Sequence, residues 1–338
     1  MCMNIKHTKS PCCGATIQHW GSRRRCCVRC HKTWRIRRKK RGRKSKRTDE
    51  RMVIKYLNRQ LPPLRVLAQQ RNYGRSVLQT RLQRSLKIYV QKNQERWKRA
   101  LPRSGDLIAV ADAIWYRVAG QKHTIYIILL RPVQSSRAVI CPPLILPGHE
   151  DYLSWQQAFD NLPLNFKTRI LALICDGGTG LILTARFHGW IIQRCHFHLL
   201  SAVQNYLTTG PRSAQRAYAL HVLQTAQRLL KTNKPKELLS ILTELTEIRR
   251  RSTSRGLRRV LGGLLQNYPD YHNYLKHPQL NLPTTSNSAE SFIQCIRDLM
   301  YRGRGFRSLT TLKCWLTAVS IFKKTIQCNG KKPTKLTN

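Results

Sequence analysis

Acidic side chains are what this chain has least of: 15 Asp and Glu stand against 62 Lys and Arg in 338 residues, a formal net charge of +47. Such a chain repels itself unless a polyanion neutralises it, and inside a cell the commonest polyanion is nucleic acid. Scarcity also gives each carboxylate weight, because an acid at the end of a buried strand is then poorly explained as surface filler. Long apolar runs are missing too. No stretch approaches the roughly 18 residues of a membrane span, which argues against a basic protein of the membrane. The opening residues MCMNIKHTKS lack the apolar core of a signal peptide. The expected location is therefore the cytoplasm, associated with the nucleoid, where thiols stay reduced and twelve cysteines serve as metal ligands or buried small residues rather than disulfides. What the chain does have is 41% apolar residues, enough to bury a core.

Six of the twelve cysteines fall in the first 30 residues: Cys2, Cys12, Cys13, Cys26, Cys27 and Cys30. Cys27-Val-Arg-Cys30 is a CxxC knuckle followed by His31 and Trp34, and Pro11-Cys-Cys-Gly14 supplies another half. Knuckle, hairpin, knuckle is the order of a zinc ribbon, in which soft ligands stabilise a segment too short to bury a core of its own. A regular first knuckle would place cysteine at position 10, where Ser10 stands. Cys13, Cys27 and Cys30 are thus expected Zn²⁺ ligands with His7 or Cys12 as the fourth, Cys2 and Cys26 being the other candidates. Residues 1–34 form this expected module. Residues 23–47 hold 15 Lys and Arg, and no acid precedes Asp49. The arm at 35–47, with Arg37, Arg38, Lys39, Lys40 and Arg41, is expected to contact phosphates without reading sequence.

From Thr48 the pattern turns helical. ERMVIKYLNRQ, LPPLRVLAQQ and GRSVLQTRLQRSL are three amphipathic pieces, broken at Leu61-Pro-Pro and Asn72-Tyr-Gly74. Residues 48–100 suit a helix-turn-helix whose third helix, starting near Arg75 and carrying Gln79, would enter a DNA major groove. QKNQERWKRALPRSG at 91–105 reads as a connector.

The larger part of the chain is organised around LALICDGGTGLILTARFHGWIIQRCHFHLLSAVQNYL, residues 171–207. ILALIC is a continuous apolar run, as in a strand covered on both faces, and DGGTG ends it, so Asp176 sits at a strand's carboxyl end, where chemistry gathers in α/β sheets. Upstream, LIAVA ends on Asp112, HTIYIILL pairs with it through a turn near Gly120, RAVICPPLILP is a third apolar segment and SWQQAFDNL a helix. Three strands, a helix and a fourth strand is the order of the ribonuclease-H-like fold, in which the first and fourth strands are neighbours. The fold class expected is therefore α/β, with the core in two parts, 106–210 and 281–328. Asp106 precedes its apolar run and suits a strand start. Between the two parts, 211–280 carries apolar residues at helical spacing, an all-α insertion whose Glu237, Glu244 and Glu247 read as solvated. In TSNSAESFIQCIRD, Ser286 or Ser288 can cap a helix with Glu290 in its first turn. The RGRGF segment that follows is expected to contact DNA through Arg302 and Arg304, and 329–338 is a basic tail.

Three carboxylates, two at the ends of adjacent strands and one on a later helix, can hold two divalent cations about 4 Å apart for in-line displacement at phosphorus. Oxygen donors suit Mg²⁺ or Mn²⁺. Asp112, Asp176 and Glu290 are the expected metal-binding, catalytic set.

At this point VADAIWYRV at 110–118, ICDGGTG at 174–180, QRCHFH at 193–198 and TSNSAESFIQCIRD at 285–298 resemble the DDE transposases of bacterial insertion sequences, in their Mutator-like branch. In that family a Cys-x-x-His motif follows the second Asp, which Cys195 and His198 match, and a helical insertion precedes the Glu. With the ribbon, the resemblance spans most of the chain. It implies a ribonuclease-H-like core that cuts double-stranded DNA at element ends and joins 3′ hydroxyls to a target. It also implies Mg²⁺ dependence, action as a homo-oligomer on paired ends, and a Cys/His pair near the active site. A regulator or domesticated relative would keep the DNA-binding modules but lose an acid, and a ribosomal-type RNA-binding protein would not need the three. A resolving nuclease with the same core differs in whether joining follows cutting.

Overall fold

The computed structural model describes residues 9–10, 12–20, 24–35, 46–207, 213–303, 306 and 308–328. His7, Arg37, Arg38, Lys39, Lys40, Arg41, Arg304 and the tail at 329–338 lie outside the described residues. The chain forms two compact units, Met1–Thr48 and Asp49–Asn338. In the first, β1 (Ile17–His19), β2 (Arg24–Cys27) and β3 (Thr33–Arg35) make an antiparallel sheet in that order. Among its described residues only Ser10, Cys26 and Cys27 are buried, so apolar packing contributes little to holding it.

Helix α1 (Lys46–Leu57) leads into α2 (Leu64–Gln70) and α3 (Arg75–Asn93). Ala68 is buried inside α2 and α3 begins at Arg75, as the helical pattern predicts. Gly74 caps α3 in an extended conformation, and the left-handed residue of that turn is Asn72. These helices do not carry a core of their own. Val53, Leu67, Leu78 and Leu82 join one cluster with the large sheet that follows, and Tyr56 meets Trp315 at 4.9 Å between ring centres.

That sheet is mixed and seven-stranded. β4 (Leu107–Val118) and β5 (Gln121–Pro132) form a long hairpin, followed by β6 (Arg137–Ile140), β7 (Leu144–Pro147), α4 (Tyr152–Asp160) and α5 (Leu164–Lys167). Next come β8 (Ile170–Cys175), α6 (Thr179–Phe187), β9 (Ile191–Arg194) and α7 (His196–Leu207). After the insertion α8 (Ser213–Lys231), α9 (Pro235–Arg251), α10 (Arg255–Tyr271) and α11 (Asn273–Lys276), the chain ends in α12 (Asn287–Gly303), α13 (Leu309–Lys323) and β10 (Thr325–Gln327). The strand order is β10-β6-β5-β4-β8-β9, with β7 also on β5. β8 is parallel to both β4 and β9, and the other pairings are antiparallel. β4 and β8 therefore lie side by side, as expected.

Two details differ from the sequence reading. The first strand does not end on Asp112. It runs on to Val118, because β5 pairs with it residue for residue and the turn Ala119-Gly120 holds both φ angles positive, which suits the right-handed twist of a two-residue hairpin. The segment RAVICPPLILP is two strands, β6 and β7, since Pro142 and Pro143 lack the N–H that a continuous ladder needs.

Side chains alternate across the sheet with period two. Leu107, Ala109, Ala111, Ile128, Leu173 and Cys175 face one cluster, closed by Trp155 and Phe159 of α4 and Leu181 of α6. Ile108, Val110, Ile127, Ala172 and Ile174 face the other, closed by α12 and α13 through Phe292, Ile296 and Leu316. The insertion has a third cluster, in which Val222, Ile241, Leu245, Leu257 and Leu261 pack with Leu199 and Val203 of α7. Glu244 of this insertion is not simply solvated: it accepts from Thr225 and lies 3.0 Å from His221 Nε2. No helix among the described residues is long and apolar enough to cross a membrane.

Candidate active site and cysteine cluster

Strand parity places two of the expected acids together. Val110 pairs with Ile174 across the parallel β4–β8 ladder, and both lie on the face that α12 covers. Asp112 and Asp176 come two residues later on their own chains, so each continues that face at the same level. Glu290, in the first turn of α12, meets them there, and the three line one cleft of about 750 Å³ with His198, Phe197, Asn287, Gln294 and Arg297.

The turn that carries Asp176 is built tightly. Asp176 Oδ1 accepts from Gly178 N at 2.8 Å, and Gly177 holds φ +99° with the Arg194 guanidinium 2.8 Å from where a Cβ would stand. Arg194 donates to Gly177 O at 3.1 Å and lies over the Tyr271 ring. At Gly180 a Cβ would stand 2.9 Å from the Asp151 backbone, so α6 can approach α4 only because no side chain is there. Both glycines are thus required by shape.

Electrostatically the cleft is short of positive charge. Burial, and next the charge of Asp176, push the Asp112 carboxyl up to about 6, against one stabilising hydrogen bond from Ala113 N at 2.8 Å. Glu290 Oε1 is buried with no hydrogen-bond partner, and His198 Nε2 is 3.5 Å away. A fourth acid, which the sequence reading missed, borders the same turn. Glu150 accepts from the Trp155 indole at 2.6 Å, and a Cβ on Gly178 would touch both Glu150 and Asp176. Burial raises its carboxyl as well, and Asp176 adds to that.

Cys195 and His198 brace α12 against α7. The buried Cys195 thiol accepts from Ser286 N at 3.3 Å, His196 N donates to Thr284 O at 2.8 Å, and His198 Nδ1 is 3.4 Å from Ser286 Oγ. Its hydrogen bond with Cys195 raises His198 to about 9, outweighing burial. Ser286 therefore stands at the helix start with its carbonyl accepting from Ala289 and Glu290 while its hydroxyl turns to His198.

Of the expected DNA contacts, Arg75 and Gln79 are exposed on the first turns of α3. Arg302 is not on an open loop. It is the last-turn cation of α12, donating to Tyr56 O at 2.8 Å and covering the Tyr56 ring, so it ties α12 to α1. Its neighbours Arg59 and Asp298 form a further ion pair across the same seam.

In the first unit, the sulfurs of Cys12, Cys13, Cys27 and Cys30 lie within 4.8 Å of one another. The fourth thiol is Cys12. Cys26 turns away, donating to His31 O. Ser10, at the position where a knuckle cysteine is missing, places its hydroxyl 3.3 Å from Cys27 Sγ; that contact, with a backbone hydrogen bond at Cys30, holds the Cys27 thiol down to about 5. Four thiols at this spacing could bind a metal such as zinc. Among the described residues this is the one group of three or more such ligands so closely gathered; the carboxylates share a cleft but do not converge to that distance.

Comparison with known proteins adds no assignment: no family model matches the chain, and no curated protein matches it.

Proposed function

We propose that the chain is a DDE transposase with a ribonuclease-H-like core, cleaving DNA phosphodiester bonds and joining 3′ hydroxyl ends to a target. The observation that carries this reading is the convergence of Asp112, Asp176 and Glu290 from β4, the end of β8 and α12 on one cleft. Within the sheet the run β6-β5-β4-β8-β9, three antiparallel strands and then two parallel to the third, supports the fold assignment. The donor set fits a divalent cation: oxygen ligands, a carboxyl raised by burial and then by the charge of Asp176, and a buried glutamate oxygen that accepts no hydrogen bond. Asp112, Asp176 and Glu290 would hold Mg²⁺ or Mn²⁺, which when bound would activate an attacking hydroxyl and neutralise the charge on the scissile phosphate.

The chain's own residues do the rest. Gln294 and Arg297, exposed on successive turns of α12 at the cleft, are placed to donate to phosphate oxygens, Gln294 by exchanging its bond to Asp298 Oδ1 at 3.2 Å. Cys195, His198 and Ser286 fix the start of α12 and hence the position of Glu290. We read the first unit as a zinc ribbon that, with α3, brings the chain to its DNA, and the excess positive charge as what keeps the polyanion there.

The test is cleavage and strand transfer with labelled duplexes carrying the DNA that flanks the coding sequence, with Mg²⁺. Wild type is expected to cut and join, while Asp112→Asn, Asp176→Asn and Glu290→Gln bind the duplex and do neither. Wild type that binds without cutting would leave a DNA-binding protein with no catalytic role for these acids.

A further inference from the structure

The end of α9 and the start of α10 carry six arginines in eleven residues, 249–259, and no acid. All six are exposed, and five of them, Arg249, Arg250, Arg255, Arg258 and Arg259, line one cleft of about 730 Å³ with Thr246. The nearest carboxylate, Glu247, is already taken. It accepts both forks of Arg250 at 2.8 Å and pairs with Arg251. Arg249, Arg255, Arg258 and Arg259 have no hydrogen-bond or ion-pair partner among the described residues.

Helix electrostatics explains only part of this. Cations on the last turn of α9 favour the helix macrodipole, but Arg255, Arg258 and Arg259 occupy the first turns of α10, where the dipole and their mutual repulsion both oppose them. A cluster assembled against its own field lowers its energy when an anion enters it. The backbone beneath is rigid: Ile241, Leu245 and Ile248 of α9 pack on Leu257 and Leu261 of α10, fixing where the arginines stand. Gly262 lets the Arg249 guanidinium lie against α10, where a Cβ would be 3.2 Å from its Nε. Planar guanidinium forks in a concave site match phosphate oxygens two at a time, which ammonium groups do not.

We propose that this cleft binds the sugar-phosphate backbone of double-stranded DNA, as a contact separate from the carboxylate cleft. It rests on the DNA-binding part of the function proposed above. The cleft sits at the opposite end of α10 from Tyr271, whose carbonyl accepts from Gln193 and His196 beside β9. α10 is kinked at Asn267, and the twelve residues before the kink span about 18 Å, which sets this cleft well apart from the β9 end of the helix.

The test is a fluorescence-anisotropy titration of the full chain with a labelled random-sequence duplex over a range of salt concentrations. Replacing Arg255, Arg258 and Arg259 together by Gln is expected to weaken binding at least tenfold at moderate salt and to reduce the slope of log affinity against log salt by about 3, near 0.9 per phosphate released. A second triple variant, Lys231→Gln, Lys234→Gln and Lys236→Gln, removes equal charge from the other end of the α8–α9 pair and is expected to change the slope by less than 1. Equal effects of the two triples, or none from the arginine triple, would overturn the site, as would an RNA duplex binding through these arginines while DNA binding stays unchanged. Wild type that binds and cuts while the arginine triple binds normally would remove this cleft alone. Weakened binding by the triple, with a wild type that never cuts, would keep the cleft and remove the proposed chemistry.

Discussion

The carboxyl of Asp112 holds its proton more tightly in the folded chain than in the unfolded one, because burial and then the charge of Asp176 raise it to about 6. Its favourable contribution is therefore complete below about pH 4 and is lost as pH rises through 6; a shift of roughly two units corresponds to about 3 kcal/mol. Asp112→Asn keeps the shape and removes the charge. The metal-free variant is expected to melt a few degrees above wild type near neutral pH and close to it near pH 4, as followed by circular dichroism. Mg²⁺ should then raise the melting point of wild type and leave the variant unmoved. A variant that melts lower at neutral pH would mean that the hydrogen bond from Ala113 N outweighs burial and repulsion together. That Asp112, Asp176 and Glu290 share a cleft was legible in the sequence because two of them end apolar runs, the third opens an amphipathic helix, and the chain has few acids to spare. Glu150 was not, since it stands in a loop with no period, and its place beside Asp176 depends on the Trp155 indole and on the missing side chain of Gly178.

Elements are joined by contacts that no local pattern announces. Arg131, near the end of β5, is fully buried without a carboxylate and donates instead to the carbonyls of Ser135, Leu280, Asn281 and Cys328, at 2.7 to 3.5 Å. It fastens the sheet to the loop from which α12, and so Glu290, departs. Replacing it with Met would leave those carbonyls without donors, a loss of about 3 kcal/mol or more. Arg131→Met is expected to lower the unfolding free energy by that amount, read in urea as a lower midpoint at an unchanged slope, and any nuclease activity should fall with it. An unfolding free energy within about 0.5 kcal/mol of wild type would show that water replaces the guanidinium. Among 62 basic residues nothing in the sequence singles out this one. Arg302 misled for the same reason: its RGRG context reads as a phosphate-binding loop, whereas α12 continues through it and Tyr56 receives it. The strands, by contrast, were readable from β-branched apolar runs and turn residues, apart from the division of RAVICPPLILP into β6 and β7, and apart from β10 and the passage of β4 beyond Asp112, which pairing with a neighbouring strand determines.

At the scale of the molecule, the two compact units are stabilised differently. The second has continuous apolar clusters on both faces of its sheet, while the first has two buried cysteines and one buried serine among its described residues. So small a core does not offset the entropy of ordering the chain, and a metal on the four thiols would supply what burial does not, of the order of 10 kcal/mol for structural zinc. The wild-type protein is expected to carry one zinc per chain, measured by metal analysis after gel filtration. Cys30→Ser and Cys12→Ser should lose it, and the first unit should become protease-sensitive while the main melting transition, which reports the second unit, stays where it is. Cys26→Ala separates a ligand set from a general need for cysteine, because the Cys26 thiol points to the His31 carbonyl and not into the cluster. Retention of zinc by Cys26→Ala and loss by Cys12→Ser would assign the irregular knuckle to the adjacent pair Cys12 and Cys13, with the Ser10 hydroxyl beside Cys27 Sγ where a knuckle cysteine is missing. Zinc-free wild type with an unaltered protease pattern would mean that the thiols hold the unit together without metal.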